Sequence, residues 1–304
     1  MLLKIGGNSI SPMFKYNFLF LLFSSICVLS EAQTLQLPSR NPAFLEGTQI
    51  IKSISDLPLE NRESIILYEV LRGNIPGFYR NMVPIKDSAF IEGKYRHISY
   101  YVIPDYLALG SDTDYFLCPM TPILAQIIAD SLNCILPTRK MVNQIWKASS
   151  VKMKPQTISP GPEMTTVAVF VKHNTMLKSQ RQLYLQKHPL GNLVSGDKKD
   201  VIISNSIYNN SSACKVVIYG WHYQSGEPIQ NLYAGHSESY VDYSHGIRLV
   251  QKEVSLDGER MSITDVLESA HLNILLSDEG IISTSFYPDT VSTAKSFDHS
   301  IQKK

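Results

Sequence analysis

The apolar positions change period part-way along the chain. Up to about residue 190 they recur mostly at helical spacing, and beyond it they gather into short runs suited to strands. Residues 33–49, with Pro38 and Pro42 among scattered polar positions, read as an extended lead-in. Asp56-Leu57-Pro58 then opens a helix, with Pro58 in the first turn, Glu60 and Glu63 near the positive end of the dipole, and Gly73 as the stop. A short strand over 78–85 and a longer one over 97–109 follow, and Pro104-Asp105 makes the second an edge strand or a bulge. Thr121-Pro122 caps and starts a helix whose Leu124, Ile127, Ile128 and Leu132 form one stripe. A second helix begins near Thr138 and turns Met141, Val142, Ile145 and Trp146 inward, so the two should pack as a pair against a sheet. Residues 155–162 hold three prolines and a glycine and mark a linker. Residues 164–186 start with β-branched positions but contain no breaker, which favours a helix.

After His188-Pro189, strands are expected over 201–204, 215–219, 240–250 and 253–256. The last turns at Asp257-Gly258 into 259–262 as a hairpin. A capping box at 262–265 starts a short helix to about residue 270, and 281–287 reads as a final strand. Helices first and strands later predict an α+β fold, with a helix-rich N-terminal half packed on a mostly antiparallel sheet from the C-terminal half.

The first 32 residues add a compartment to this picture. Lys15 precedes an apolar run over 18–29, and Ser30-Glu31-Ala32 gives a small-x-small cleavage pattern before Gln33, as in a secretory signal peptide; Met13 offers a second start. The alternative is a single membrane anchor, but the run is shorter than the ~20 residues that span a bilayer. Cys27 follows Ser25-Ile26 rather than a small residue, so lipidation is not expected. The organisation read from the chain is therefore a signal peptide over 1–32, one α+β domain over 33–290, and a loose polar tail over 291–304. The expected location is secreted or periplasmic, with no membrane span after cleavage. Of the four cysteines, losing Cys27 leaves Cys118, Cys134 and Cys214, too few for a disulfide framework. A net charge of +1 without a basic stripe argues against nucleic acid. No glycine-rich loop follows a strand, so no nucleotide is implied.

Candidate chemistry concentrates in residues 215–250. The strand over 216–219 ends in Gly220-Trp221-His222, and His236, Asp242, Ser244, His245 and Arg248 follow. His222, His236, Asp242 and His245 are the ligand types of a catalytic zinc. Their order is similar to the His…Asp…His order of zinc peptidases that cut peptidoglycan cross-links, with one residue fewer between His236 and Asp242. The alternative is a set of hydrogen-bonded structural histidines. A regular strand over 240–250 would put Asp242, Ser244 and Arg248 on one face and Tyr243 and His245 on the other. His222 is expected in the same cleft as Asp242, since neighbouring elements tend to pair. Ser244 or Cys134 could serve as nucleophile with a histidine as base, Cys134 lying just before the helix near Thr138. Lys198-Lys199-Asp200 and Arg139-Lys140 could hold an anion or form solvated turns. Gly110 to Asp114 resembles the start of a calcium loop without its later ligands.

Six phrases carry a resemblance: Gly73-Asn74-Ile75-Pro76, Pro104-Asp105-Tyr106, the run 136–142, Lys198-Lys199-Asp200-Val201, Tyr219-Gly220-Trp221-His222 and 240–249. Together they resemble an uncharacterised family of secreted bacterial proteins. The resemblance covers nearly the whole mature chain and implies export and a single unit, but no chemistry. Two functions are therefore carried forward. One is a secreted hydrolase acting on an envelope polymer or peptide, catalysing through His222, Asp242, Ser244 and His245, binding substrate through Trp221, Arg248 and Lys199, and using zinc if His222, His236, Asp242 and His245 hold it. The other is a non-catalytic envelope protein that binds a glycan or peptide through Trp221, Tyr223, Tyr233, Tyr240 and Tyr243.

Overall fold

The structure, a computed structural model, describes residues 33–208 and 213–288. The leader over 1–32 and the tail over 291–304 lie outside the described residues. The chain begins with two helices, α1 (Gly47–Ile54) and α2 (Leu59–Leu71). The first departs from the expectation, because Pro38 and Pro42 suggest an extended lead-in. A capping box closes it: the Glu46 N–H donates to Gln49 Oε1 at 2.8 Å, and the Glu46 side chain accepts from the backbone of Gln49.

Strands begin at residue 83, so the expected segregation of helices and strands does not hold. The fold is nevertheless α+β. β1 (Val83–Ile91) and β2 (Lys94–Val102), nine residues each, form a hairpin. Its turn residues Glu92 and Gly93 both have positive φ, 49° and 82°, which matches the twist of a two-residue hairpin. After β3 (Ala108–Gly110) and β4 (Tyr115–Leu117) comes α3 (Pro122–Ser131), then β5 (Cys134–Ile135), α4 (Arg139–Ala148), β6 (Val151–Lys152), α5 (Val167–Gln182) and β7 (Val194–Ser195). Thr121 caps α3 as the sequence predicts, and Thr138 caps α4 at the expected start, accepting from the Leu124 and Met141 N–H groups. The remaining elements are β8 (Lys199–Val201), β9 (Lys215–His222), β10 (Pro228–Ser237), β11 (His245–Gly246), β12 (Val250–Gln251), β13 (Glu253–Leu256), β14 (Glu259–Ser262) and α6 (Ile263–Glu268).

Two sheets organise these elements. The larger runs β14-β13-β2-β12-β5 with β1 on β2, all antiparallel. β2 is therefore central rather than an edge. It ends at Val102, and Pro104 lies in the turn beyond, where its missing N–H breaks no ladder. The smaller sheet runs β10-β9-β8-β11, with β11 parallel to β8 and the other pairs antiparallel. β10 was absent from the sequence reading because its side chains alternate only between half-buried and exposed. The expected strand over 281–287 does not form; Tyr287 is instead anchored through its hydroxyl to the Ile202 carbonyl at 2.7 Å.

The buried faces of α3 and α4 join one core that includes Leu124, Ile128, Met141 and Ile145. Gly110 to Asp114 is a structural loop. Asp114 Oδ2 accepts from the Thr48 hydroxyl at 2.6 Å and Asp112 Oδ1 from the Phe78 N–H at 3.3 Å, so both carboxylates tie the loop to the N-terminal segment.

Candidate functional site

β9 reverses its side-chain phase before it reaches His222. Gly220 and Trp221 both take positive φ, 100° and 56°. Glycine adopts that region freely, and a bulky residue does so only under local constraint. In a regular strand Tyr219 and Trp221 would share a face and His222 would oppose them. Here Tyr219 and His222 share one: both reach Asn143 Oδ1 on α4, the tyrosine hydroxyl donating at 3.0 Å and His222 Nε2 lying at 2.9 Å. With that oxygen accepting, His222 carries its proton on Nε2. Trp221 turns toward His173 and Tyr243, with ring centroids 6.0 and 6.2 Å away.

His222 therefore does not meet Asp242. The neighbours of His222 are Asn143, Trp146 and Tyr219, and those of Asp242 are Tyr240, Ser244, His245 and Lys199. The two sets share no residue. Burial pushes the His222 imidazole down to about 4. Beside it lies a narrow gap lined by Tyr106, Ser195, Asp200 and Arg248, too tight to seat a water molecule.

Asp242 and His245 do meet, because residues 240–244 are an irregular segment ending in a turn rather than a strand. The His245 N–H donates to the Asp242 carbonyl at 3.1 Å. Asp242 Oδ1 accepts the Ser244 N–H at 2.7 Å and the Ser244 hydroxyl at 2.5 Å, the local bonding that makes aspartate a turn residue. The turn brings His245 Nε2 to 3.9 Å from Asp242 Oδ2. Tyr240 covers the pair. Its hydroxyl donates to Asp242 Oδ2 at 3.2 Å, its ring lies edge-on to His245, and its outer face stacks on His236 at 3.9 Å between centroids. Lys199 completes the group as the register partner of His245 across the parallel β8–β11 pair. Its ammonium lies 5.5 Å from the Trp221 ring centroid.

The charges follow from burial. His245 is fully buried, and neither ring nitrogen has a hydrogen-bond partner among the described residues. Burial, aided by the nearby cations Lys199 and Lys198 and opposed by Asp242, pushes the imidazole down to about 4. Burial pushes Asp242 up, but His245, the Ser244 donors and Lys199 together outweigh it and hold the carboxyl below its ordinary value. His245 is neutral at pH 7, so at that pH the Ser244 donors and Lys199 keep Asp242 ionised. Burial lowers Lys199, with Asp242 pulling against it.

The other sequence candidates fall elsewhere. Ser244 donates its hydroxyl to a carboxylate, not to an imidazole, and is no activated nucleophile. Cys134 lies in β5, donates to the Leu132 carbonyl, and is pushed by burial up to about 12, so its thiol is inert. Arg248 is fully buried and donates to the Ile103 and Val194 carbonyls at 3.2 and 2.9 Å. It stabilises the interior carboxyls Asp105, Asp197 and Asp200 and cannot reach a surface substrate. The four-residue zinc set does not assemble: His222 is apart, the Tyr240 ring stands between His236 and His245, and no metal-holding group of three His, Cys, Asp or Glu occurs among the described residues. Trp221 and Tyr243 are buried, Tyr240 half-buried, and only Tyr223 and Tyr233 of the aromatic set are exposed.

His173 and Asn143 escaped the sequence reading. His173 is fully buried, and burial together with Lys198 pushes it down to about 2. Its signal was available: it lies on the same stripe of α5 as Val167, Phe170 and Leu177. Asn143 sits on the polar side of α4, where nothing in the spacing distinguishes it.

Comparison with protein-family models, with curated proteins and with solved structures finds no match to this chain. Among the described residues no helix is long and apolar enough to cross a membrane.

Proposed function

We propose that the protein is an exported hydrolase acting on a peptide or polymer of the cell envelope, with Asp242 and His245 as its acid–base pair. The observation that carries the reading is the convergence of a neutral imidazole, an ionised carboxylate and a half-buried lysine on one face of the smaller sheet. A neutral His245 can take a proton from water as that water attacks a carbonyl carbon, and Asp242 stabilises the imidazolium that forms. A base held at about 4 is weaker than one matched to pH 7, so its contribution falls below the about 10²–10⁴-fold that tuned general bases supply. Tyr240 covers the pair, so a substrate reaches it when that ring swings away from His245. Export rests on the leader pattern ahead of Gln33.

A second reading is favoured by one specific observation. Tyr223 and Tyr233 are 50% and 43% exposed, and Tyr233 lies edge-on to His236 beside Tyr240, as on an aromatic platform for a glycan or peptide. Incubation of the mature chain with purified envelope polymer separates the two. The hydrolase releases new amino or reducing ends, and Asp242→Asn and His245→Gln each abolish the release. Polymer binding without release supports the platform, and release that survives both substitutions places the chemistry elsewhere.

A further inference from the structure

The cations singled out in the sequence are not equivalent. Arg139 pairs with Asp278 at 3.0 Å, Lys140 donates to the Ile274 carbonyl, and Lys198 donates to the Tyr243 carbonyl at 2.6 Å. Lys199 is different. Among the described residues its ammonium makes neither a hydrogen bond nor a close ion pair; it lies over Trp221, and Asp242 acts on it from longer range. Trp221 is itself 3% exposed, and its indole N–H has no acceptor among the described residues. A cation without an oxygen to bind thus stands over Trp221, beside His245 in the strand register and within the field of Asp242. An anionic oxygen is the chemistry that would satisfy it. Asp242 nearby repels a dianion more than a single charge, which favours a carboxylate over a phosphate.

We propose that this site binds peptides through a free C-terminal carboxylate held by Lys199. The consequence for the reaction rests on the hydrolase reading above. Lys199 and His245 are register partners, and neighbouring strands lie about 4.8 Å apart. A carboxylate held by Lys199 would thus bring the last peptide bond to the side of the sheet where His245 lies. Water adds to that carbonyl carbon, His245 takes the water's proton and passes it to the leaving nitrogen, and the C–N bond breaks. The products are one amino acid and a shortened peptide acid.

The test is calorimetric titration of the mature chain with acetyl-trialanine, its carboxamide and inorganic phosphate, with alanine release followed separately. The acid should bind about tenfold or more tightly than the amide, the size of one lost charge-assisted contact. Lys199→Gln should remove that difference, and Lys199→Arg should keep most of it. Equal affinity for acid and amide, preference for phosphate, no binding of the acid, or a preference that survives Lys199→Gln overturns the proposal. Acid-selective binding without alanine release leaves the carboxylate site standing and removes the hydrolase reading. Cleavage of the amide as fast as the acid does the reverse.

Discussion

Replacing His245 by glutamine removes a buried imidazole and leaves no titrating group in its place. The folded chain holds that imidazole at about 4 against an ordinary 6.5. The folded value is the lower one, so as pH falls between the two the unfolded chain takes up the proton first and stability is lost. Below the folded value both states are protonated and the loss is complete. Applied to these two values, linkage gives a loss of about 2 kcal/mol on going from about pH 7 to about pH 5. Glutamine escapes that loss. Its altered packing and lost contacts cost stability equally at both pH values and cancel in the comparison, as do His173, His222 and Asp200, which both proteins retain. His245 is largely uncharged across this window, so Asp242 has a neutral neighbour in both proteins and its own titration cancels. The assay is urea unfolding of the wild type and His245→Gln at both pH values. The wild type should lose about 2 kcal/mol more than the variant. Equal losses would refute the neutral, desolvated imidazole on which the proposed chemistry depends.

Three further outcomes test the fold around the site. Leu124→Ala and Ile145→Ala each truncate a side chain that is at most 2% exposed and should lower stability by about 2–5 kcal/mol, read from the unfolding midpoint. Gly110→Ala should destabilise by more than about 1 kcal/mol, because its φ is 112° and an added Cβ would lie 2.2 Å from the Asp114 carbonyl oxygen; an unchanged midpoint would contradict that loop. Cys118, Cys134 and Cys214 are free and buried, so a thiol reagent should find none of them in the native chain. After denaturation it should find these three if the leader is removed, and a fourth, Cys27, if the leader is retained.

Much of the helical structure was legible because caps and stripes are local. Thr121-Pro122 and Thr138 set the starts of α3 and α4, and Asp257-Gly258, with φ of 53° and 94°, made the β13–β14 turn. What failed was long-range or phase-dependent. The cluster of Asp242, His245 and Lys199 falls largely within the stretch the sequence singles out, 215–250, but its pairing differs from the expected one. His222 and Asp242 were joined by assuming regular strands, whereas Gly220-Trp221 inverts the phase of β9 and Asp242–Ser244 turns the chain. Asp-Tyr-Ser was itself a turn signal, obscured by the β-rich residues around it. Lys198-Lys199-Asp200 read as solvated charge, yet Lys198 and Asp200 are buried against Tyr243 and Tyr106. The apolar run Val201-Ile202-Ile203 directly after them was the available hint of burial.

In the proposed hydrolysis His245, assisted by Asp242, activates water. Digestion of envelope peptides in water enriched in the heavy oxygen isotope tests it most directly, with the products read by mass spectrometry. Wild-type protein should place one heavy oxygen in each newly formed carboxyl or hydroxyl end, and His245→Gln, folded at neutral pH, should place none. Products that carry no solvent oxygen, or equal incorporation by the His245→Gln protein, would contradict it.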